Sequence, residues 1–360
     1  MLLPDRIGKV LLISVASAAV AGLAGCKSGG NTNNVGVTLN GAGSALVYPA
    51  MSRWAEIYGA IRPDVKINYK SAGSSVGVQQ VTSGAVDFAA SDYSLDDKTL
   101  ATVKPMLQIP ETAGMVCITY NLPGLTRPLQ LSADAVAGIF LGKITNWQDR
   151  MLKKDNPGVA LPKMKIAVAY RTDDSGMTAA LTAYLSAVSE EWRSKVGEGG
   201  VVSWPVGVGG KGSDGVTEAV RQSPGSIGYV EFTYAQQNKL QVASVKNLAG
   251  KYVVPSAASA TAAIAGFSSA LGKDPRTPIV NPPASAEAAY PIATLMFLIV
   301  PKDGTDVGKR SALKGFVQYV LGDGQAIAGE LNYASLPDEV KQYDQQTLNQ
   351  MTVNGKPIPY

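Results

Sequence analysis

Three short stretches place a glycine or serine turn directly before a helical run. They are Gly41-Ala42-Gly43-Ser44-Ala45-Leu46 ahead of a run ending near residue 58, Ala72-Gly73-Ser74-Ser75 ahead of residues 76–82, and Asp174-Ser175-Gly176-Met177 ahead of residues 178–188. The first turn of a helix leaves backbone N–H groups without partners and turns the positive end of the helix dipole outward, so each stretch can seat an anion. Taken singly, each serine serves equally well as an N-cap. Three such turns together favour a shared ligand. A guanidinium would neutralise that ligand, because its planar fork matches two oxygens, and Arg171 stands four residues before Ser175 at the end of a β-rich run. Asp173 either pairs with Arg171 at the surface or orients it from behind while the fork faces the ligand.

Asp92 follows the apolar run Val86-Asp87-Phe88-Ala89-Ala90-Ser91. Alone it reads as a solvated turn aspartate. Beside a bound anion it acquires meaning, since a carboxylate repels any anion that has no proton to donate. Hydrogenphosphate carries such a proton at neutral pH and sulfate does not, so Asp92 is the residue that discriminates between them.

Other chemistry is narrowed by what the chain lacks. No histidine occurs in its 360 residues, which removes Ser-His-Asp and Cys-His nucleophilic sites and histidine-ligated zinc. A carboxylate-only mechanism survives that test. The stretch Gly207-Val208-Gly209-Gly210-Lys211-Gly212-Ser213-Asp214-Gly215 looks like a phosphate-cradling loop, but Pro205 and Gly212 occupy the positions where such a loop needs glycine and a hydroxyl. It reads as a turn into a helix at residues 216–221. No metal or cofactor is implied. The net charge of +4 is spread without a lysine or arginine run, so no nucleic-acid footprint is present.

The elements that must hold these residues alternate. Short β-rich runs at residues 65–69, 115–120 and 165–169 are each followed by a helical run, at 76–82, 133–141 and 177–188, and a seven-residue apolar run at 294–300 precedes a helical pattern over 311–330. Such alternation predicts an α/β fold with crossover helices. The length suits two lobes, and 46% hydrophobic with 17% charged residues is a globular composition. The alanine- and serine-rich residues 255–271 read as a crossover helix. Proline- and glycine-rich loops at 121–128 and 281–291 are places for the chain to leave one lobe and return. The division expected is residues 37–112 plus 291–360 for lobe I and 113–290 for lobe II.

The start of the chain differs from the rest. Arg6 and Lys9 precede an uncharged apolar stretch at residues 10–20, too short to span a bilayer, which marks residues 1–25 as a signal peptide. It closes on Leu23-Ala24-Gly25-Cys26, which resembles the lipobox of bacterial lipoproteins and makes Cys26 the acylated first mature residue, anchored in a membrane. Residues 26–36 are small and polar, as a flexible tether is. Removing Asp5, Arg6 and Lys9 with the leader leaves 30 basic and 27 acidic residues. Cys117, the other cysteine, has no partner left and sits in an apolar run as a small buried hydrophobe.

With these residues in place, the chain resembles the phosphate-binding proteins of bacterial phosphate ABC transporters, which have the type II periplasmic-binding-protein fold. The likeness covers nearly the whole mature chain. It runs through Gly41-Ala42-Gly43, Asn68-Tyr69, Gly73-Ser74-Ser75, Ala90-Ser91-Asp92, Tyr120-Asn121-Leu122-Pro123-Gly124-Leu125, Arg171 with Ser175-Gly176, Gly228-Tyr229-Val230-Glu231 and Tyr333-Ala334-Ser335-Leu336-Pro337. The resemblance implies two α/β lobes joined by two crossing segments, with lobe I built from both ends of the chain. It also implies a monomer that is exported, periplasmic or at the cell surface, binds inorganic phosphate without catalysis and passes it to the permease subunits of an ABC importer.

By position, the implied oxyanion ligands are the N–H groups of Ala45 and Leu46, the side chains of Ser74, Asp92, Arg171 and Ser175, and the N–H groups of Gly176 and Met177. Threonine is usual in the family where Ala45 and Met177 stand here. Two hydrogen bonds to a charged group, at about 1.5–3 kcal/mol each, amount to a factor of about 100 or more in affinity. Ser44 and Thr178, one residue away, are the substitutes the chain offers, and Asp173 is the second support of Arg171. The competing expectations are another oxyanion, arsenate or sulfate, and an enzyme such as a phosphatase with Asp92 or Ser175 as nucleophile.

Overall fold

The computed structural model describes residues 36–125 and 127–358. The expected signal peptide, Cys26 and all but the last residue of the expected tether lie outside the described residues. The strands β1 (Val37–Gly43), β2 (Val65–Ser71) and β3 (Phe88–Ser91) alternate with the helices α1 (Tyr48–Ile61) and α2 (Ser74–Ser83). β1 pairs in parallel with both β2 and β3, so each connection is a helical crossover. Phe88, Ala89, Ala90 and Ser91 are all buried, as a strand covered on both faces requires.

β4 (Met106–Tyr120) is the longest strand and belongs to two sets of partners. From Met106 to Met115 it pairs antiparallel with β8 (Ala293–Pro301), which also pairs with β3. From Val116 to Tyr120 it pairs antiparallel with β7 (Ser226–Glu231). β7 is parallel to β5 (Ala167–Arg171), and β5 to β6 (Val208–Gly210). The sheet order is therefore β2-β1-β3-β8-β4-β7-β5-β6, with the short strand Gln241–Val242 also against β4. Two α/β halves share β4, the first completed by a strand from far along the chain.

Helices cover both halves. α3 (Gly176–Val188) follows β5, and α4 (Gly212–Gln222) follows β6. The expected run at 311–330 is two helices, α5 (Val307–Leu321) and α6 (Gly324–Glu330), because the chain turns at Gly322. Residues 255–271 likewise divide into Ala257–Ala265 and Ser268–Leu271. Trp54, Trp147 and Trp192 are fully buried, and Cys117 is buried in β4. Among the described residues no helix is long and apolar enough to cross a membrane.

Candidate anion-binding site

The parallel strands of both halves end at the same place. Ser44 follows β1, Ser74 follows β2 and Asp92 follows β3; Arg171 ends β5, Gly212 follows β6 and Glu231 ends β7. In open α/β sheets the carboxyl ends of the strands, where strand order reverses, form the crevice that takes ligands. β1 lies between β2 and β3, so Ser44, Ser74 and Asp92 become neighbours although they are distant in sequence.

The Asp92 wall is held by hydroxyls. Ser44 Oγ donates to Asp92 Oδ1, and Ser74 Oγ donates to Oδ2 at 3.1 Å while accepting from the Asp92 N–H at 3.1 Å. Thr294 Oγ1 donates to the Asp92 carbonyl at 3.0 Å. Asp92 is 5% exposed, and burial pushes its carboxyl up to about 6 against the pull of Ser44, Ser74 and Arg171, with Asp174 adding to the rise. Gly43, at φ +140°, lets the chain turn from β1 into Ser44; a Cβ there would meet the Ala90 carbonyl at 2.0 Å. The N–H groups of Ala45 and Leu46 then have no protein partner among the described residues.

The Arg171 wall is an ion network. Arg171 is 7% exposed; its Nε donates to Asp173 Oδ1 at 2.8 Å, Nη2 bonds the other oxygen, and Nη1 donates to Ser213 Oγ at 3.3 Å. Partial burial alone would raise Asp173, but Arg171 and the Gly212 N–H outweigh it and hold that carboxyl at about 2. Ser213 Oγ also donates to Glu231 Oε2 at 2.8 Å, and burial pushes the Glu231 carboxyl up to about 7 although Ser213 and Arg171 favour its charge. The Tyr229 hydroxyl accepts from the Arg171 N–H at 3.1 Å and pairs with Thr178 Oγ1 at 2.6 Å, which ties the end of β5 to α3. Trp204 stacks on Tyr229 at 5.6 Å between ring centres.

α3 begins in the same crevice. Ser175, in extended conformation, caps it by accepting from the Thr178 N–H at 3.4 Å, which leaves the Gly176 and Met177 N–H groups at the bare helix start. The two walls touch there. A Cβ on Gly176 would lie 2.0 Å from Asp92 Cβ and 2.3 Å from Oδ2, so only glycine allows this approach.

Asp92, Arg171 and the three turns thus come together from both halves. Ala45, Arg171 and Asp173 line a cavity of about 710 Å³ with Gly73, Ser75 and Glu231, and Asp92 lines a separate one of about 230 Å³ with Thr294. Leu46, Ser74, Ser175, Gly176 and Met177 are buried and line neither cavity. Of the two substitute hydroxyls, that of Ser44 is on Asp92 and that of Thr178 is on Tyr229. Residues 207–215 are more than a turn: they supply β6, the Gly212 N–H and Ser213. Ser213 and Glu231 were not singled out as site residues from the sequence, since a lone serine in a glycine-rich stretch and a glutamate ending an apolar strand carry no local signal. Among the described residues no group of histidine, cysteine, aspartate or glutamate has the arrangement to hold a metal ion.

Residues 28–324 match the family model described as a PBP superfamily domain. The phosphate-binding protein PstS of Xylella fastidiosa (strain Temecula1) is 42% identical over 310 residues, covering 86% of this chain and 84% of its own length. The phosphate-binding protein PstS of Methanocaldococcus jannaschii is 35% identical over 377 residues, covering 96% of each. Among solved structures, the high affinity periplasmic phosphate-binding protein PfluDING, bound with phosphate, matches at a TM-score of 0.69 with 22% identity, over 90% of this chain and all of its own. At that identity the likeness speaks for the fold.

Proposed function

The chain belongs to the PBP superfamily and, within it, to the PstS family of phosphate-binding proteins, and on that premise we propose that it captures inorganic phosphate between its lobes for an ABC importer. The lobes are residues 37–112 with 291–360 and residues 113–290, closing like a hinge about the two passages near residues 113 and 291. Phosphate is held by the N–H groups of Ala45, Leu46, Gly176 and Met177 and by the side chains of Ser74, Asp92, Arg171 and Ser175. The chain acts by binding and release, without catalysis, as an exported monomer anchored through a lipid on Cys26, and its closed form docks on the permease subunits.

One observation carries the choice of ligand. The crevice offers neutral N–H dipoles, the Arg171 guanidinium and the exposed ammonium of Lys211, yet Arg171 is already matched by Asp173, and Asp92, Glu231, Asp174 and Asp214 add more carboxyls than Lys211 can offset. An anion without a proton would meet uncompensated repulsion there. Hydrogenphosphate relieves it by donating to Asp92 Oδ1 or Oδ2, each of which has accepting capacity beyond its bond from Ser44 or Ser74. Arsenate shares this protonation and shape and binds on the same argument.

Titration calorimetry of residues 26–360 with phosphate, arsenate and sulfate at pH 8 tests the reading. Phosphate and arsenate are expected to bind, with sulfate weaker by a factor of about 100 or more, the equivalent of two lost hydrogen bonds. Sulfate binding as tight as phosphate sinks the assignment. Turnover of phosphate monoesters would establish the phosphatase reading in its place, and intact mass of the membrane-extracted protein reports the lipid on Cys26.

A further inference from the structure

Two tyrosines stand behind the seat rather than in it. Tyr69, near the end of β2, donates its hydroxyl to the Ser44 carbonyl at 2.9 Å. Tyr333, just beyond α6, donates to the Leu46 carbonyl at 2.7 Å and is 2% exposed. They reach one four-residue turn from opposite ends of the chain. Tyr333 is itself fixed by its N–H on the Ala328 carbonyl and by the bridge between Ala334 and Ala113 of β4. Tyr69 is packed between the rings of Tyr48 and Phe88, at 6.3 and 6.2 Å.

The carbonyls they choose matter because of peptide geometry. The Ser44 carbonyl and the Ala45 N–H are opposite ends of one planar unit, so a donor on the oxygen both aims the N–H away from Tyr69 and polarises it. The Leu46 carbonyl shares its unit with the Val47 N–H, which donates to Ser44 Oγ at 3.2 Å, and that hydroxyl donates in turn to Asp92 Oδ1. One tyrosine therefore backs an anion donor. The other heads a chain of hydrogen bonds that ends on the acceptor, from Tyr333 through the Leu46–Val47 peptide and Ser44 to Asp92.

We infer that Tyr69 and Tyr333 are positioning residues of the anion seat, Tyr69 strengthening the Ala45 N–H as a donor and Tyr333 restraining the basicity of Asp92. This rests on the phosphate reading given above. Burial pushes both phenols up, and nearby carboxyls push the same way, Glu111 before Asp92 for Tyr69 and Glu231 before Asp92 and Glu111 for Tyr333, so both remain donors across the working pH range. Phenylalanine keeps the ring and removes only the hydroxyl, which makes Tyr69→Phe and Tyr333→Phe the informative changes. Tyr290→Phe is the control, because Tyr290 donates at 3.2 Å to the Val116 carbonyl in the core and faces no ligand group.

Phosphate titrations are read beside two nuclear magnetic resonance signals, the Ala45 amide proton and the pH midpoint of the Asp92 carboxyl carbon. Tyr69→Phe is expected to weaken phosphate binding about tenfold, the worth of one hydrogen bond. It moves the Ala45 amide proton upfield and leaves those of Gly176 and Met177 in place. Tyr333→Phe also releases the turn that carries the Ala45 and Leu46 N–H groups, so it weakens binding about threefold to tenfold on the same scale while it shifts the Asp92 midpoint upward. Tyr290→Phe changes neither affinity nor these signals, whatever it does to the melting temperature. Phosphate affinity within twofold of the parent and unmoved signals in both variants overturn the inference. If the parent chain itself fails to bind phosphate, the functional reading falls, while the ligand-free Ala45 and Asp92 signals still decide the role of the tyrosines.

Discussion

The turn before α1 and the turn before α3 present the same chemistry by different means. At α3 the N-cap is local: Ser175 accepts from Thr178 three residues on, and the buried Gly176 and Met177 N–H groups are left without an intrahelical partner by the ordinary geometry of a capped helix. At α1 the N-cap residue, Val47, has no side-chain oxygen, and its N–H goes to Ser44. There the turn is shaped from outside, by Tyr69, Tyr333 and the Ser44–Asp92 bond. A donor group can be prepared by its neighbours in sequence or by its neighbours in space, and this crevice uses one of each.

Substitutions on the two sides should therefore fail differently. The largest effect is expected from Arg171→Met, which removes the fork on the α3 side and leaves the half-buried Asp173 and the buried Glu231 without it. Truncating one partner of a buried hydrogen-bonded charge pair at an interface costs roughly 2–5 kcal/mol, so phosphate affinity falls by about 30- to several-thousandfold in calorimetry. Next is Asp92→Asn on the α1 side. It should lower phosphate affinity by about 10- to 100-fold, as for one or two hydrogen bonds to charge, and raise sulfate affinity, so that the ratio of the two approaches unity. Retained selectivity in this variant would break the role assigned to Asp92.

The acids supply a pH test of intermediate size. Asp92, Glu231 and Glu111 all have raised carboxyls, chiefly through burial; Glu111, fully buried, has neither carboxyl oxygen bonded. A raised carboxyl binds more protons folded than unfolded at pH between the two values, so ligand-free stability falls as pH rises from about 4 through 7. Glu231→Gln should make that fall in melting temperature shallower from about pH 4.5 to 7, leaving the share contributed by Asp92 and Glu111 in place. Smaller still is Ser175→Ala, expected to lose about 1 kcal/mol of stability with the cap. Phosphate affinity should drop by about tenfold with the hydroxyl. The smallest is Thr178→Val: its hydroxyl is already on Tyr229, so affinity should stay within about twofold. A large loss there would mean that Thr178 turns to the ligand.

Much of this was legible before folding was considered. The glycine and serine turns, the guanidinium after a β-rich run and the acid past an apolar strand are short-range patterns, and the structure gathers those residues at strand ends. What escaped detection acts at long range. Glu231 and Ser213 matter because β7 and β6 flank β5, and Tyr333 because residues beyond α6 return to β4. The divided helices at 307–330 and 257–271 were missed for a milder reason, since an apolar period continues across a two-residue break, Gly322-Asp323 or Gly266-Phe267, that only the backbone reveals.

Order along the chain settles what three or four residues can do together: the Ser175 cap, the bare N–H groups of Gly176 and Met177, and the alternation that makes the fold α/β. It also excludes histidine chemistry outright. Packing alone decides which distant groups share the crevice, because the 2-1-3 strand order puts Ser44 and Ser74 on Asp92, and a glycine at 176 lets the second half close to contact. The protonation of Asp92 belongs to that second category. Its value depends on burial and on two hydroxyls from other turns, none of which is a property of the residues beside it.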